Sequence, residues 1–225
     1  MSGAGWRIDC WAGRSLALPA GRTALLVIDM QRDFLDPEGM CGTLGEDLAP
    51  VQAIVPALSR VLAAGRRAGL AIVHTREGYA PDLSDLHAAK AERGSVGTAG
   101  PLGRFLVRGE AGQDLIADLR PAAGEAVIDK PGFSAFYRTD LEARLGAGGV
   151  THLVLGGVTS QCCVHSTLRD AVDRGFRCLT LADGTAAFDP ALHEAALAII
   201  QGEDHLFGWI ADTDTLCAAL QQPPV

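Results

Sequence analysis

From residue 23 onward, short apolar runs alternate with longer amphipathic stretches. Ala24-Leu25-Leu26-Val27-Ile28 reads as a buried strand, as do Leu70-Ala71-Ile72-Val73, Ala126-Val127-Ile128, Leu153-Val154-Leu155 and Cys178-Leu179-Thr180-Leu181. Each run is continuous rather than alternating, which is the pattern of strands covered on both faces in a parallel sheet. Helical periodicity lies between them, over 47–66, 112–119, 139–147, 162–175 and 190–200, with a last stretch at 212–221. This alternation predicts a doubly wound α/β fold with a mostly parallel sheet and helices on both faces. A single domain is expected over 1–225, with the Gly-rich, aperiodic residues 1–22 as an extended N-terminal arm that packs on the domain or on a neighbouring subunit. Residues 77–111 are rich in Gly, Pro and charge and lack periodicity. A segment of that length in a compact domain reads as a lid or a subunit contact.

Composition narrows the classes. The chain has 225 residues, 48% hydrophobic and 20% charged, as expected of a packed globular protein. A formal charge of -8, with no Lys/Arg-rich stripe or zinc-finger spacing, argues against a nucleic-acid partner. The apolar runs are far shorter than the ~20 residues needed to span a bilayer, so no membrane association is expected. There is no secretory pattern and no C-x-x-C among Cys10, Cys41, Cys162, Cys163, Cys178 and Cys217. The expectation is a cytoplasmic protein with reduced thiols.

Three places carry candidate chemistry. In Gly156-Gly157-Val158-Thr159-Ser160-Gln161-Cys162-Cys163-Val164 a strand ends in glycines, and a cysteine is delivered to the start of a helix. Free N–H groups and the positive dipole end there favour a thiolate, the nucleophilic form of cysteine. Cys162 and Cys163 point about 100° apart around such an axis, so only one can face the crevice, and position alone does not choose between them. Asp29 follows the first strand directly. A carboxylate buried at that point needs a partner. Lys130, before Pro131-Gly132, ends another strand and places an ammonium near the same crevice. In doubly wound sheets ligands bind beyond the carboxyl ends of the strands. Asp33 and Asp36 suit capping or loop roles. No metal site is expected, because His74 and His87 are thirteen residues apart with no third ligand. The chain also has no G-x-S-x-G elbow, no P-loop and no G-x-G-x-x-G after the first strand.

Taken together, Val27-Ile28-Asp29-Met30-Gln31-x-Asp33-Phe34, Asp129-Lys130-Pro131-Gly132 and Gly157-Val158-Thr159-x-x-Cys162-Cys163-Val164 resemble the isochorismatase-like cysteine hydrolases, over roughly residues 22–221. The resemblance implies Cys163 as nucleophile, Asp29 as base and Lys130 as supporting cation, with no cofactor. It implies a cis peptide at Val158-Thr159 and an oxyanion hole from the Thr159 and Cys163 N–H groups. Isochorismatases lack this cysteine, so Cys163 points to amide chemistry. The Asp/His/His metal set of nicotinamidases is not present after the second strand. His74-Thr75-Arg76-Glu77-Gly78, Pro81-Asp82-Leu83 and Leu106-Val107-Arg108-Gly109-Glu110 are similar to the hydrolases of biuret and triuret, as are Thr139-Asp140-Leu141-Glu142 and Val164-His165. This implies a small-molecule ureide or amide substrate and a homodimer or homotetramer. The pocket glutamine of biuret hydrolases aligns with Glu203, near Gln201. A carboxylate there would accept the extra amide donors of a longer ureide. Phe34, Phe136 and Tyr137 are expected to line the pocket. The competing expectations are an amidase acting on another small amide, and a silent binding protein on the same fold.

Overall fold

The structure, a computed structural model, describes residues 4–225. Six strands form a parallel sheet: β3 (Thr23–Ile28), β4 (Ala71–Glu77), β5 (Ala126–Lys130), β6 (His152–Val158), β7 (Arg177–Ala186) and β8 (Trp209–Ala211). Their spatial order is β8-β7-β6-β3-β4-β5, and every neighbouring pair is parallel. The chain begins in the middle, winds out to one edge, returns, and winds out to the other. Beside β3 and β6 the winding direction reverses, which opens a crevice beyond the strands' carboxyl ends.

Side-chain alternation along β3 divides the core into two layers. Leu25 and Val27 pack into one cluster with Leu58, Val61 and Leu62 of α1 (Val55–Ala68) and Leu216 and Leu220 of α5 (Thr213–Leu220). Ala24, Leu26 and Ile28 face the other. That second cluster holds Leu141 and Leu145 of α2 (Leu141–Ala147), Leu168 and Ala171 of α3 (His165–Asp173), and Leu197 and Ile200 of α4 (Pro190–His205). Burial of both sheet faces is what the unbroken apolar runs required. The helix spacing follows the same logic: Leu58, Val61, Leu62 and Gly65 form one stripe of α1.

Four expectations need correction. The stretch 5–19 is not an extended arm but an antiparallel hairpin, β1 (Gly5–Cys10) paired with β2 (Arg14–Pro19). It buries Trp6, Ile8, Leu16 and Leu18 in the first core cluster, a period-two pattern short enough to be missed among the glycines. The pattern at 112–119 gives only the turns Ala111–Gln113 and Ala117–Leu119, because its backbone bonds elsewhere. Ile116 N–H donates to Met30 O and Arg32 N–H to Asp114 O, tying this segment to the loop after β3. The 47–66 stretch divides at Ile54, the N-cap of α1, with Pro56 in its first turn. The strand β8 went unread because only three residues, Trp209-Ile210-Ala211, form it.

Segment 77–111 folds back on the domain. Tyr79, Phe105, Leu106 and Val107 are buried, and Leu106 N–H donates to Asp33 Oδ2 at 2.8 Å. Asp33 Oδ1 also accepts from Met40 N–H, the structural role expected of it. No helix among the described residues is long and apolar enough to cross a membrane.

Candidate active site

Asp29, Lys130 and Cys163 meet at the crevice, each brought there by the end of a strand. Asp29 follows β3 with a left-handed φ of 51°, a conformation in which aspartate is enriched among non-glycine residues. Its N–H donates to Thr75 O at 3.2 Å. The Thr75 hydroxyl donates to Asp29 Oδ1 at 2.6 Å. Lys130, the last residue of β5, places Nζ 2.7 Å from Asp29 Oδ2. The same ammonium donates to Gly132 O at 2.8 Å and reaches Cys163 Sγ at 3.4 Å. The ammonium thus touches the carboxylate, a backbone carbonyl and the sulfur together.

Cys163 lies in a π-helical turn, Ser160–Val164, that leads into α3. Gly157, at φ 118°, makes the approach possible: a Cβ there would sit 2.1 Å from Ile28 O on the adjoining strand. The Val158-Thr159 peptide is cis, where the resemblance placed it. Cys163 is buried and touches Lys130, whereas Cys162 is half-buried.

Electrostatics set the resting state. Burial pushes the Asp29 carboxyl up from its ordinary value, Lys130 opposes this, and the nearby Glu77 adds to it. Burial alone would lower Lys130, but the charges of Asp29, Cys163 and Glu77 outweigh it and keep the ammonium protonated. Cys163 is held well above the usual thiol range by the adjacent Cys162 thiol and by burial, with the two carboxylates adding and Lys130 opposing. The resting group is therefore a thiol, next to a carboxylate whose proton affinity is raised toward it. That suits proton transfer within the site.

The sequence reading did not assign a role to Glu77. It ends β4, pairs in register with Lys130, and sets Oε2 3.7 Å from Cys163 Sγ. Ligand atoms of Asp29, Glu77 and Cys163 all lie within 4.8 Å of one another. The strand-end rule that flagged Asp29 and Lys130 passed Glu77 over because the apolar run stops at Val73, four residues before this strand ends. Its backbone is clamped by Gln31, whose Oε1 accepts from Glu77 N–H at 2.7 Å and whose Nε2 donates to Glu77 O at 2.9 Å. Tyr79 donates its hydroxyl to Glu77 Oε1 at 3.1 Å, and Lys90 pairs with the same oxygen. Lys90 also lies 4.1 Å over the Phe133 ring. No local pattern in 77–111 announces that pairing.

Beside this cluster is a cavity of about 340 Å³ lined by His87, Lys90, Gly132, Phe133, Ser134, Tyr137, Ser166 and Asp170. Tyr137 is thus on a cavity wall. A larger cavity, about 650 Å³, is lined by Arg32, Arg76 and Arg120 among others and contains none of Asp29, Lys130 and Cys163. Phe136 lines neither of these cavities: it stacks on Phe176 at 5.9 Å inside the second core cluster. Phe34 packs against the first core cluster. Glu203 is exposed on a non-helical turn at the end of α4, and Gln201 is half-buried beside it. Among the described residues neither shares a hydrogen bond or ion pair with the cluster around Cys163. The kink after Ile200 turns this stretch out of the helix, which a gapless count along the chain could not foresee.

The Isochorismatase domain family model matches residues 23–215. The ureidoacrylate amidohydrolase RutB of Serratia proteamaculans is 30% identical over 220 residues, covering 93% of this chain and 87% of that protein. Its namesake from Methylorubrum extorquens is 33% identical over 214 residues, covering 91% and 85%. Among solved structures, a cysteine hydrolase from Pseudomonas syringae pv. phaseolicola aligns with a TM-score of 0.80 at 25% identity, over 98% of this chain and 99% of that one. The N-carbamoylsarcosine amidase of Thermoplasma acidophilum aligns with a TM-score of 0.66 at 26% identity, over 86% and 97%. With a family model spanning most of its length and an Asp29–Lys130–Cys163 cluster at the switch point of its sheet, the chain belongs to the isochorismatase family, among its cysteine hydrolases, and is an amidohydrolase acting on carbon–nitrogen bonds.

Proposed function

We propose that this amidohydrolase cleaves a C–N bond of a small linear ureide, such as biuret or triuret, through a carbamoyl thioester on Cys163. The observation that carries the reading is the position of Lys130 Nζ, 2.7 Å from Asp29 Oδ2 and 3.4 Å from Cys163 Sγ. The relatives named for ureidoacrylate and N-carbamoylsarcosine support the substrate class, since each name describes a nitrogen bearing a carbamoyl group.

In the proposed cycle Asp29 accepts the Cys163 thiol proton, and Lys130 steadies the thiolate that forms. The thiolate attacks the carbamoyl carbon and forms a C–S bond, while the oxyanion rests on the Thr159 and Cys163 N–H groups. The C–N bond then breaks, and the departing nitrogen takes the proton from Asp29. Water gives a proton to Asp29 and adds to the thioester carbon. The C–S bond breaks, carbamate leaves, and the sulfur recovers its proton. The enzyme is proposed to act as a homodimer or homotetramer on a small-molecule ureide or amide.

Ammonia release measured over biuret, triuret, N-carbamoyl amino acids and nicotinamide tests the reading. Wild-type enzyme is expected to favour the ureides, and Cys163→Ala to lose at least about a thousandfold in kcat/KM. Turnover surviving in Cys163→Ala would overturn the thioester. Preference for nicotinamide would replace the ureide by another amide, and silence across the panel with no iodoacetamide labelling of Cys163 would mark a binding protein.

A further inference from the structure

Glu77 is a second buried carboxylate at the nucleophile, and the cycle proposed above makes no use of it. Asp29 and Lys130 already supply the base and the cation. Glu77 in fact opposes activation, because its charge helps hold the Cys163 thiol up. A carboxylate with that effect, kept 3% exposed beside the reacting sulfur, calls for a compensating role.

Its geometry indicates the role. Oε1 is occupied by the Tyr79 hydroxyl and the Lys90 ammonium. Tyr79 is fully buried, and both burial and Glu77 hold its phenol protonated, so it donates. Lys90 comes from the cavity side, over Phe133, and Gln31 fixes the backbone. The carboxylate is therefore pinned from behind, and Oε2 alone is presented at Sγ. At rest Oε2 accepts from the Cys163 thiol at 3.7 Å; once that proton has passed to Asp29, a carboxylate oxygen, which accepts and does not donate, asks for a donor on whatever is bonded to the carbon under attack. In a ureide that carbon carries two nitrogens. One leaves, served by Asp29; the other stays with the acyl group and still carries N–H. A simple carboxamide has carbon in the retained position and nothing to donate.

We propose that Glu77 is a specificity-determining residue, its Oε2 accepting the N–H of the nitrogen retained with the acyl group, so that the site takes carbamoyl compounds and rejects their acyl counterparts. This rests on the ureide reading and sharpens it: the reading names the substrate class, and Glu77 explains the choice. Lys90 and Tyr79 are positioning residues for that oxygen.

The test compares twins that differ only in the retained group, NH2 against CH3: biuret with N-acetylurea, followed by urea release, and N-carbamoylglycine with N-acetylglycine, followed by glycine release. Wild-type enzyme is expected to favour the carbamoyl twin by about a hundredfold or more in kcat/KM, because the acetyl twin leaves the buried Oε2 without a donor. Glu77→Gln, with its circular dichroism unchanged, is expected to narrow that preference about tenfold, a charged acceptor having been replaced by a neutral one. Glu77→Asp keeps the charge beside Lys90 but withdraws the oxygen, and is expected to narrow it as well. Wild-type enzyme without the preference, or a folded Glu77 variant that keeps it intact, overturns the role of Glu77 and leaves the ureide reading standing. If neither carbamoyl compound is cleaved, both fall.

Discussion

Lys130 Nζ lies 2.7 Å from Asp29 Oδ2, with neither side chain exposed to solvent. Both charges left water to form this pair, so neither is tolerable without the other. Lys130→Met is expected to destabilise the protein by about 3–5 kcal/mol, because Asp29 is left buried and unpaired. Asp29→Asn combined with Lys130→Met should be less destabilised than Lys130→Met alone. Urea unfolding of the three proteins measures the coupling, and equal midpoints for the single and double variants would show that there is none.

The Thr75 hydroxyl, 2.6 Å from Asp29 Oδ1, bonds the proposed base. Burial raises the Asp29 carboxyl from its ordinary 3.8, and the Thr75 hydrogen bond partly offsets the rise. Asp29 works as a base only when ionised, so kcat/KM should fall as pH drops through this raised value, above the ordinary carboxylate range. Thr75→Val removes a bond to the charged form, which raises the carboxyl further. The acid limb of the pH profile is expected to move to higher pH, and a limb that stays put would mean that another group sets it.

Phe136 and Tyr137 are adjacent in sequence and opposite in consequence. Phe136 is 5% exposed and stacked on Phe176, with the Arg174 guanidinium 4.9 Å over its ring. Phe136→Ala should cost about 3–5 kcal/mol by thermal or urea unfolding while leaving KM unchanged. Tyr137 is 43% exposed on the cavity wall. Tyr137→Ala should change stability by less than about 1 kcal/mol and raise KM instead.

Gly157 joins β6 to β3 just before the nucleophile turn. A methyl there would meet Ile28 O at 2.1 Å, in a backbone conformation with φ 118° that other residues resist. Gly157→Ala is expected to lose more than about 2 kcal/mol of stability and most activity together, read by unfolding and by ammonia release on the same preparation.

The doubly wound sheet was legible because its strands are buried on both faces. Such strands must be apolar at every position, and Ala24–Ile28 and Leu153–Leu155 show it without any partner in view. Asp29, Lys130 and Cys163 were legible for the complementary reason: each is a polar group set where an apolar strand stops, and in this fold those ends converge. The hairpin at 5–19 was not, since its four buried residues, Trp6, Ile8, Leu16 and Leu18, show their alternation only once β1 and β2 are paired.

What the sequence by itself determined, then, is the fold class and the strand-end placement of Asp29, Lys130 and the Cys162-Cys163 pair, which follow from hydrophobic period and local position; the choice of Cys163 over Cys162 came from the family resemblance. What only the tertiary structure decided is the surroundings of the sulfur. Glu77, Tyr79 and Lys90 come to it from one loop-spanning stretch, and Phe133 from another strand end. Glu203, aligned by count, is carried outward by the kink that ends α4. Contacts between residues dozens of positions apart depend on how the chain returns upon itself, and no local period encodes that return.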